Sequence, residues 1–167
     1  DPVRLPAVSE HVSYEVELGV VIGRVAKGVS AENAYDHVLG YVAANDVTLR
    51  DVQKSAPQWS RAKGFDTSCP LGPWIETDID AFDLDNLSIK AHLTHDGERA
   101  TKQDSNSNQM IMKMGEIIEF ITASMTLLPG DVIATGSPAG TEAMVDGDYI
   151  EIEIPGIGKL GNPVVDA

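Results

Sequence analysis

Hydrophobic and polar positions alternate with a period of two from Tyr14 to Gly23, which sets Tyr14, Val16, Leu18, Val20 and Ile22 on one face of a strand. Ser30 suits the N-cap of a short helix running through Ala31, Ala34 and His37 to Val38, stopped near Gly40. Tyr41 to Val47 reads as a further strand. From Arg50 to Gly72 no period holds, and Pro57, Gly64, Pro70 and Gly72 punctuate the stretch, so a long irregular functional loop is expected there. Alternation resumes over Leu87 to Leu93 and leads into His95-Asp96-Gly97-Glu98, whose Asp-Gly step suits a hairpin. Met114, Ile117, Ile118 and Ile121 follow helical spacing and predict a helix from about Lys113 to Met125. Turns at Pro129-Gly130-Asp131 and Gly147-Asp148 lead into strands Val132 to Thr135 and Tyr149 to Ile154. Strands outnumber helices and are joined by turns rather than crossover helices. That pattern predicts a β-rich α+β fold, in one domain over 1–167, not a doubly wound sheet.

Composition narrows the class. Hydrophobic residues make up 43% of the 167, enough for a single core. No apolar run approaches the roughly 18 to 20 residues of a membrane-spanning helix. No signal peptide is visible, although the chain starts at Asp1 without a Met. Cys69 is the only cysteine, which excludes an internal disulfide and a cysteine-rich zinc site and makes a cytoplasmic setting the expectation. The net charge of −14 disfavours a nucleic-acid partner. A membrane surface is disfavoured too, since no basic amphipathic helix is present. Within this acidic chain Arg50, Lys54, Arg61 and Lys63 cluster, opposed locally only by Asp51. The cluster is either a solvated basic loop or an anion site.

Three features carry candidate chemistry. Glu15 and Glu17 lie two apart on a strand, hence on one face and roughly 7 Å apart at Cα. They repel unless a cation joins them. Glu151 and Glu153 share that spacing, but their strand buries only its Ile150, Ile152 and Ile154 face, as an ordinary half-exposed strand does. Asp46 closes an apolar strand, where it is an ordinary turn residue or a third oxygen ligand. Lys63, between Trp59 and Phe65, is placed against aromatic surface, where it pairs with an anionic substrate or simply snorkels. Other motifs fail. Gly136-Ser137-Pro138-Ala139-Gly140 lacks the nucleophile-elbow spacing, Cys69 reads as a buried packing thiol, and His92 and His95 point to opposite faces, which makes them poor metal ligands. The hydroxyl of Ser137, flanked by Gly136 at a strand end, remains suited to hydrogen-bonding a carboxylate.

The stretches YEVELGVVIG (14–23), GYVAANDVTLRDVQ (40–53), QWSRAKGFDTSCPLGPW (58–74), QDSNSNQMI (103–111) and MTLLPGDVIATGSPAG (125–140) together resemble the fumarylacetoacetate hydrolase family, with its isomerase, decarboxylase and acylpyruvase members. They keep the family's order and spacing over almost the whole chain. The resemblance implies a mixed β-sandwich roll, usually dimeric, in an enzyme of aromatic-compound catabolism. It implies that Glu15, Glu17 and Asp46 hold Mg²⁺ or Mn²⁺, with Ca²⁺ as a further candidate. By the same resemblance Arg50 and Lys63 act in catalysis, Gln53 and Thr67 line the substrate site, and Gly136 and Ser137 bind the substrate carboxylate. Ser137 stands where the family usually has Thr. The family's upstream lid, with a His and a Glu that activate water, has no counterpart in this chain.

A small 2-oxo dicarboxylic acid is the implied substrate, turned over through an enolate by C–C hydrolysis, decarboxylation or keto–enol isomerisation. The alternative is a non-catalytic, metal-stabilised domain or the degenerate half of a fused protein.

Overall fold

The computed structural model describes residues 1–167, with Ile79 described by its backbone alone. Among these residues the strands are β1 (Val3–Leu5), β2 (Val12–Ser13), β3 (Val16–Ile22), β4 (Val38–Asn45), β5 (Thr48–Leu49), β6 (Leu71–Glu76), β7 (Ser88–His95), β8 (Glu98–Asn106), β9 (Val132–Ala134), β10 (Tyr149–Ile154) and β11 (Gly158–Asp166). The helices are α1 (Arg50–Ser55), α2 (Ser60–Lys63) and α3 (Met114–Ser124). One sheet runs β1-β11-β10-β7-β8, a second β6-β4-β3-β9, and β2 pairs with β5 in a small ribbon. The architecture is the strand-rich α+β fold that the alternation predicts.

The core lies between the two larger sheets. Leu18, Val20 and Ile22 of β3 join Ile150, Ile152 and Ile154 of β10, with Ala91 and Leu93 of β7 and Ile118 of α3. Each fully buried isoleucine contributes about 1.5–3 kcal/mol. Strand β3 is buried on both faces, so its second face, which carries Glu17, also lies inside the protein. The β7–β8 hairpin turns through Asp96 and Gly97, both at positive φ, as a two-residue loop between right-twisted strands requires.

Several elements differ from the sequence reading. Ala31–His37 is a 3₁₀ segment, and Ser30 makes no capping hydrogen bond. The stretch read as an irregular loop contains α1, α2 and the start of β6; helices of six and four residues are too short to show a period. Strand β8 is polar along its length because it forms a sheet edge, so no alternation marks it. Strand β11, which no alternation marks and which contains Gly161 and Pro163, pairs with β10 on one side and β1 on the other.

Candidate functional site

The antiparallel register of β3 and β4 sets Val16 opposite Asn45 and Glu17 opposite Ala44. Beyond that ladder the Asp46 amide donates to the Glu15 carbonyl at 3.0 Å, and the Asn45 side chain accepts from the Glu15 amide at 3.0 Å. Glu15 and Asp46 are thus neighbours across the strand pair, with Glu17 one step along. One carboxylate oxygen from each of the three lies within 4.8 Å of the others.

The two short helices deliver the cations. Arg50 opens α1 and reaches Glu15 at 2.6 Å, while its Nε donates to the Ser13 hydroxyl at 2.6 Å and its Nη1 to Gln53 at 3.2 Å. Lys63 closes α2 and contacts Glu15 and Asp46 at 2.6 Å each and the Thr48 hydroxyl at 2.9 Å. Its ammonium is engaged by carboxylates instead of lying against Trp59 and Phe65. Burial alone would lower the Lys63 pKa, but its bonds to Asp46 and Glu15 raise it. Burial raises Asp46 even against the Lys63 ammonium.

Glu17 is different. It is 4% exposed, and among the described residues it has no ion-pair partner; its carboxylate accepts only the Gly136 amide, at 2.7 Å. Burial drives its pKa up to about 7; the Gly136 amide pulls the other way, and repulsion from Asp46 and Glu15 adds to the rise. Lys63 lowers it slightly from a distance but makes no ion pair with it, and a buried carboxylate so weakly compensated is costly. Three hard oxygen donors within reach of one point form a set suited to Mg²⁺, Mn²⁺ or Ca²⁺. The residues therefore fit a divalent cation.

Gly136, at φ 107°, and Ser137 follow β9 in a loop fixed to the rest of the site. Its far end is held by the Tyr14 hydroxyl, which donates to the Gly140 carbonyl at 3.1 Å. Gly140 passes so close to the Lys102 carbonyl that an added Cβ would lie 2.3 Å from its oxygen, so the loop needs glycine there. Gly136 and Ser137 line a cavity of about 560 Å³ together with Met110, Ile111, Met112 and Ile117. The sequence reading gave no site role to these apolar residues, placing Ile117 only on the apolar face of a helix, nor to the buried Gln103 that holds Ser137. A lone Gln on a polar strand carries no signal of burial.

Thr67 stands apart from this constellation: it sits at φ 67°, and its hydroxyl accepts the Arg4 amide at 2.9 Å. Cys69 is exposed, not a buried packing thiol. Partial burial, then Asp46 and Glu17, push its pKa up, which makes it a poor nucleophile. The β10–β7 register brings His92 to Glu151 and Glu153, a second group of metal-ligand types that the reading of His92 as a poor ligand did not anticipate. Its carboxylates are already paired, with Arg99 on Glu151 at 2.6 Å and Lys159 on Glu153 at 3.1 Å.

Comparison with known proteins matches residues 1–165 to the family model described as fumarylacetoacetate (FAA) hydrolase C-terminal. The solved structure of Cg1458 with an inhibitor is 72% identical with a TM-score of 0.99, covering 100% of this chain and 62% of that one. The structure of 2-hydroxyhepta-2,4-diene-1,7-dioate isomerase from Mycobacterium marinum is 52% identical with a TM-score of 0.92, covering 99% of this chain and 63% of that one. Mitochondrial oxaloacetate tautomerase fahd2 of Xenopus laevis is 41% identical over 99% of this chain and 53% of its own. The chain thus spans between about half and three fifths of the length of these relatives.

Proposed function

The chain belongs to the fumarylacetoacetate hydrolase family, and from that premise we propose that it is the metal-binding catalytic domain of an enzyme acting on a small 2-oxo dicarboxylic acid. The observation that carries this reading is Glu17: a buried carboxylate with no cationic side chain on it, grouped with Glu15 and Asp46 beside Lys63 and Arg50. The substrates for which two relatives are named support the class, since a 2-hydroxydienedioate and oxaloacetate are both dicarboxylates that interconvert between keto and enol forms.

Glu15, Glu17 and Asp46 would hold the cation, a hard divalent ion such as Mg²⁺ or Mn²⁺, with Ca²⁺ also matched by oxygen donors. When bound, it polarises the 2-oxo carbonyl and offsets charge as the enolate develops. Lys63 and Arg50 place positive charge at the rim of the same cluster and stabilise enolate or carboxylate charge on the substrate. Gln53, tied to Arg50, orients that guanidinium and lines the site. With the Gly136 amide given to Glu17, the Ser137 hydroxyl is the side-chain donor of that loop that binds the substrate carboxylate. Thr67 contributes through its backbone segment, its hydroxyl being held by Arg4. One enolate serves isomerisation, decarboxylation and C–C hydrolysis alike.

A homodimer and a cytoplasmic setting belong to the same reading. Leu71, Trp74 and Ile75 lie exposed on β6, an edge strand, and offer apolar side chains and a free strand edge to a second copy. Among the described residues no helix is long and apolar enough to cross a membrane.

Turnover of oxaloacetate and of an acylpyruvate, measured on chelator-treated protein before and after adding Mg²⁺ or Mn²⁺, tests the proposal. Metal-dependent turnover of either supports it. Metal that raises the melting temperature but restores no turnover would instead support a structural metal domain.

A further inference from the structure

Gln103 lies in β8, fully buried, at the junction of the two parts of the site. Its Oε1 accepts the Val16 amide at 3.0 Å, the residue between Glu15 and Glu17. Its Nε2 donates to the Ser137 hydroxyl oxygen at 2.9 Å and to the Pro138 carbonyl at 2.6 Å. One side chain thus fastens the carboxylate-bearing strand to the Gly136–Ser137 loop. The amide orientation is dictated by its partners. A flip would set nitrogen against the Val16 N–H and oxygen against the Pro138 carbonyl, donor on donor and acceptor on acceptor.

The polarity of Ser137 follows. An amide nitrogen only donates, so Ser137 Oγ is the acceptor in that bond and its own proton must go elsewhere. The Pro138 carbonyl lies 3.5 Å away, too long for a good O–H···O bond, and it already takes Gln103. The proton is left for the cavity that Ser137 lines. A hydroxyl so oriented favours an anion and disfavours a donor at that point.

We propose that Gln103 is a positioning residue that fixes Ser137 as a hydrogen-bond donor to the anionic end of the substrate and holds that donor in register with the metal-binding strand. This rests on the reading above that Ser137 binds the substrate carboxylate.

The test is a double-mutant cycle on the Mg²⁺-loaded full chain, with oxalate, a planar dianion that does not react, as the probe and calorimetry as the readout. Gln103→Glu keeps an acceptor for Val16 but gives up the amide donor, so Ser137 must turn its proton inward. Ser137→Ala is expected to weaken oxalate about tenfold, the worth of one hydrogen bond to a charged group. Gln103→Glu is expected to do the same, while Mg²⁺ affinity stays within about threefold of the parent. The double variant is expected to be no weaker than Ser137→Ala, because both remove one interaction. A merely structural role for Gln103, or the added charge alone, gives effects that multiply, and that result overturns the proposal. So does a Gln103→Glu protein that binds oxalate like the parent while Ser137→Ala does not. If Ser137→Ala itself leaves oxalate binding unchanged, the assignment of Ser137 is wrong and the inference goes with it. Should Gln103→Glu fail to fold, Gln103→Met takes its place in the cycle under the same criteria.

Discussion

Lys63 and Asp46 are joined at 2.6 Å, and the same ammonium reaches Glu15 at the same distance. The lysine therefore holds together two carboxylates that otherwise repel, and it shares them with any cation drawn into the cluster. Three effects of removing it follow. Lys63→Met should cut turnover about 10²-fold, near 2.7 kcal/mol of transition-state stabilisation. The ion-free fold should lose about 1–2 kcal/mol, since the pair is mostly screened from water. Mg²⁺ affinity should hold or rise, because a competing cation has gone. Lys63→Arg should not fully rescue turnover, as a planar fork does not replace a point charge. Kinetics, calorimetry and melting in chelator read the three effects, and parent-like turnover in Lys63→Met would sink the mechanism.

Glu17→Gln keeps an acceptor for the Gly136 amide and removes the one carboxylate of the cluster without an ion pair. Mg²⁺ affinity should fall at least about tenfold while the ion-free protein melts no lower than the parent, since a buried charge is gone. Glu151→Gln, whose carboxylate is paired with Arg99 and Lys159 on the surface, is the control and should bind Mg²⁺ as the parent does. Equal affinity in all three proteins would remove Glu17 from the site.

The Glu17 carboxyl, raised by burial from 4.5 to about 7, gives a pH signature. The fold holds this proton better than the unfolded chain does. Its contribution to ion-free stability is complete below the unfolded value and is lost as pH rises through the folded one, a change of about 3 kcal/mol. Cation binding needs the carboxylate and so competes with that proton. The rise in melting temperature on adding Mg²⁺ should therefore grow from about pH 6 to about pH 8. A shift that is flat across that window would contradict the role given to Glu17.

Association through β6 should give twice the chain mass in light scattering at micromolar concentration. Trp74, 54% exposed on that edge strand, is the side chain to change. Trp74→Glu should dissociate the dimer. A parent that runs as a monomer would count against the assembly.

Much of the fold was legible because β3, β7, β10 and α3 announce themselves by period. Others were silent for stated reasons: α1 and α2 are too short, β8 is a polar edge, and β11 carries Gly161 and Pro163. The sequence reading picked out Glu15, Glu17, Asp46, Arg50 and Lys63, and the structure brings them to one point. Their partnership was not visible. Lys63 was expected to meet aromatic surface, whereas a four-residue helix carries it to the carboxylates. Gln103 opened a matching stretch but was given no role, because burial of a polar residue depends on the packing of distant segments, which no local pattern encodes.

The bond from Gly136 to Glu17 closes a span of 119 residues, and β1 finds its partner β11 only at the far end of the chain, Val3 beside Val164. A nascent polypeptide that has emerged as far as Thr135 already contains all three carboxylates and the two short helices that carry Arg50 and Lys63, yet it lacks the amide that aims Glu17. Such long closures put the chain among slow folders, on the order of milliseconds to seconds. Tight cation binding should therefore arise with the last kinetic phase of refolding, after early collapse, so the ion reports closure of this domain.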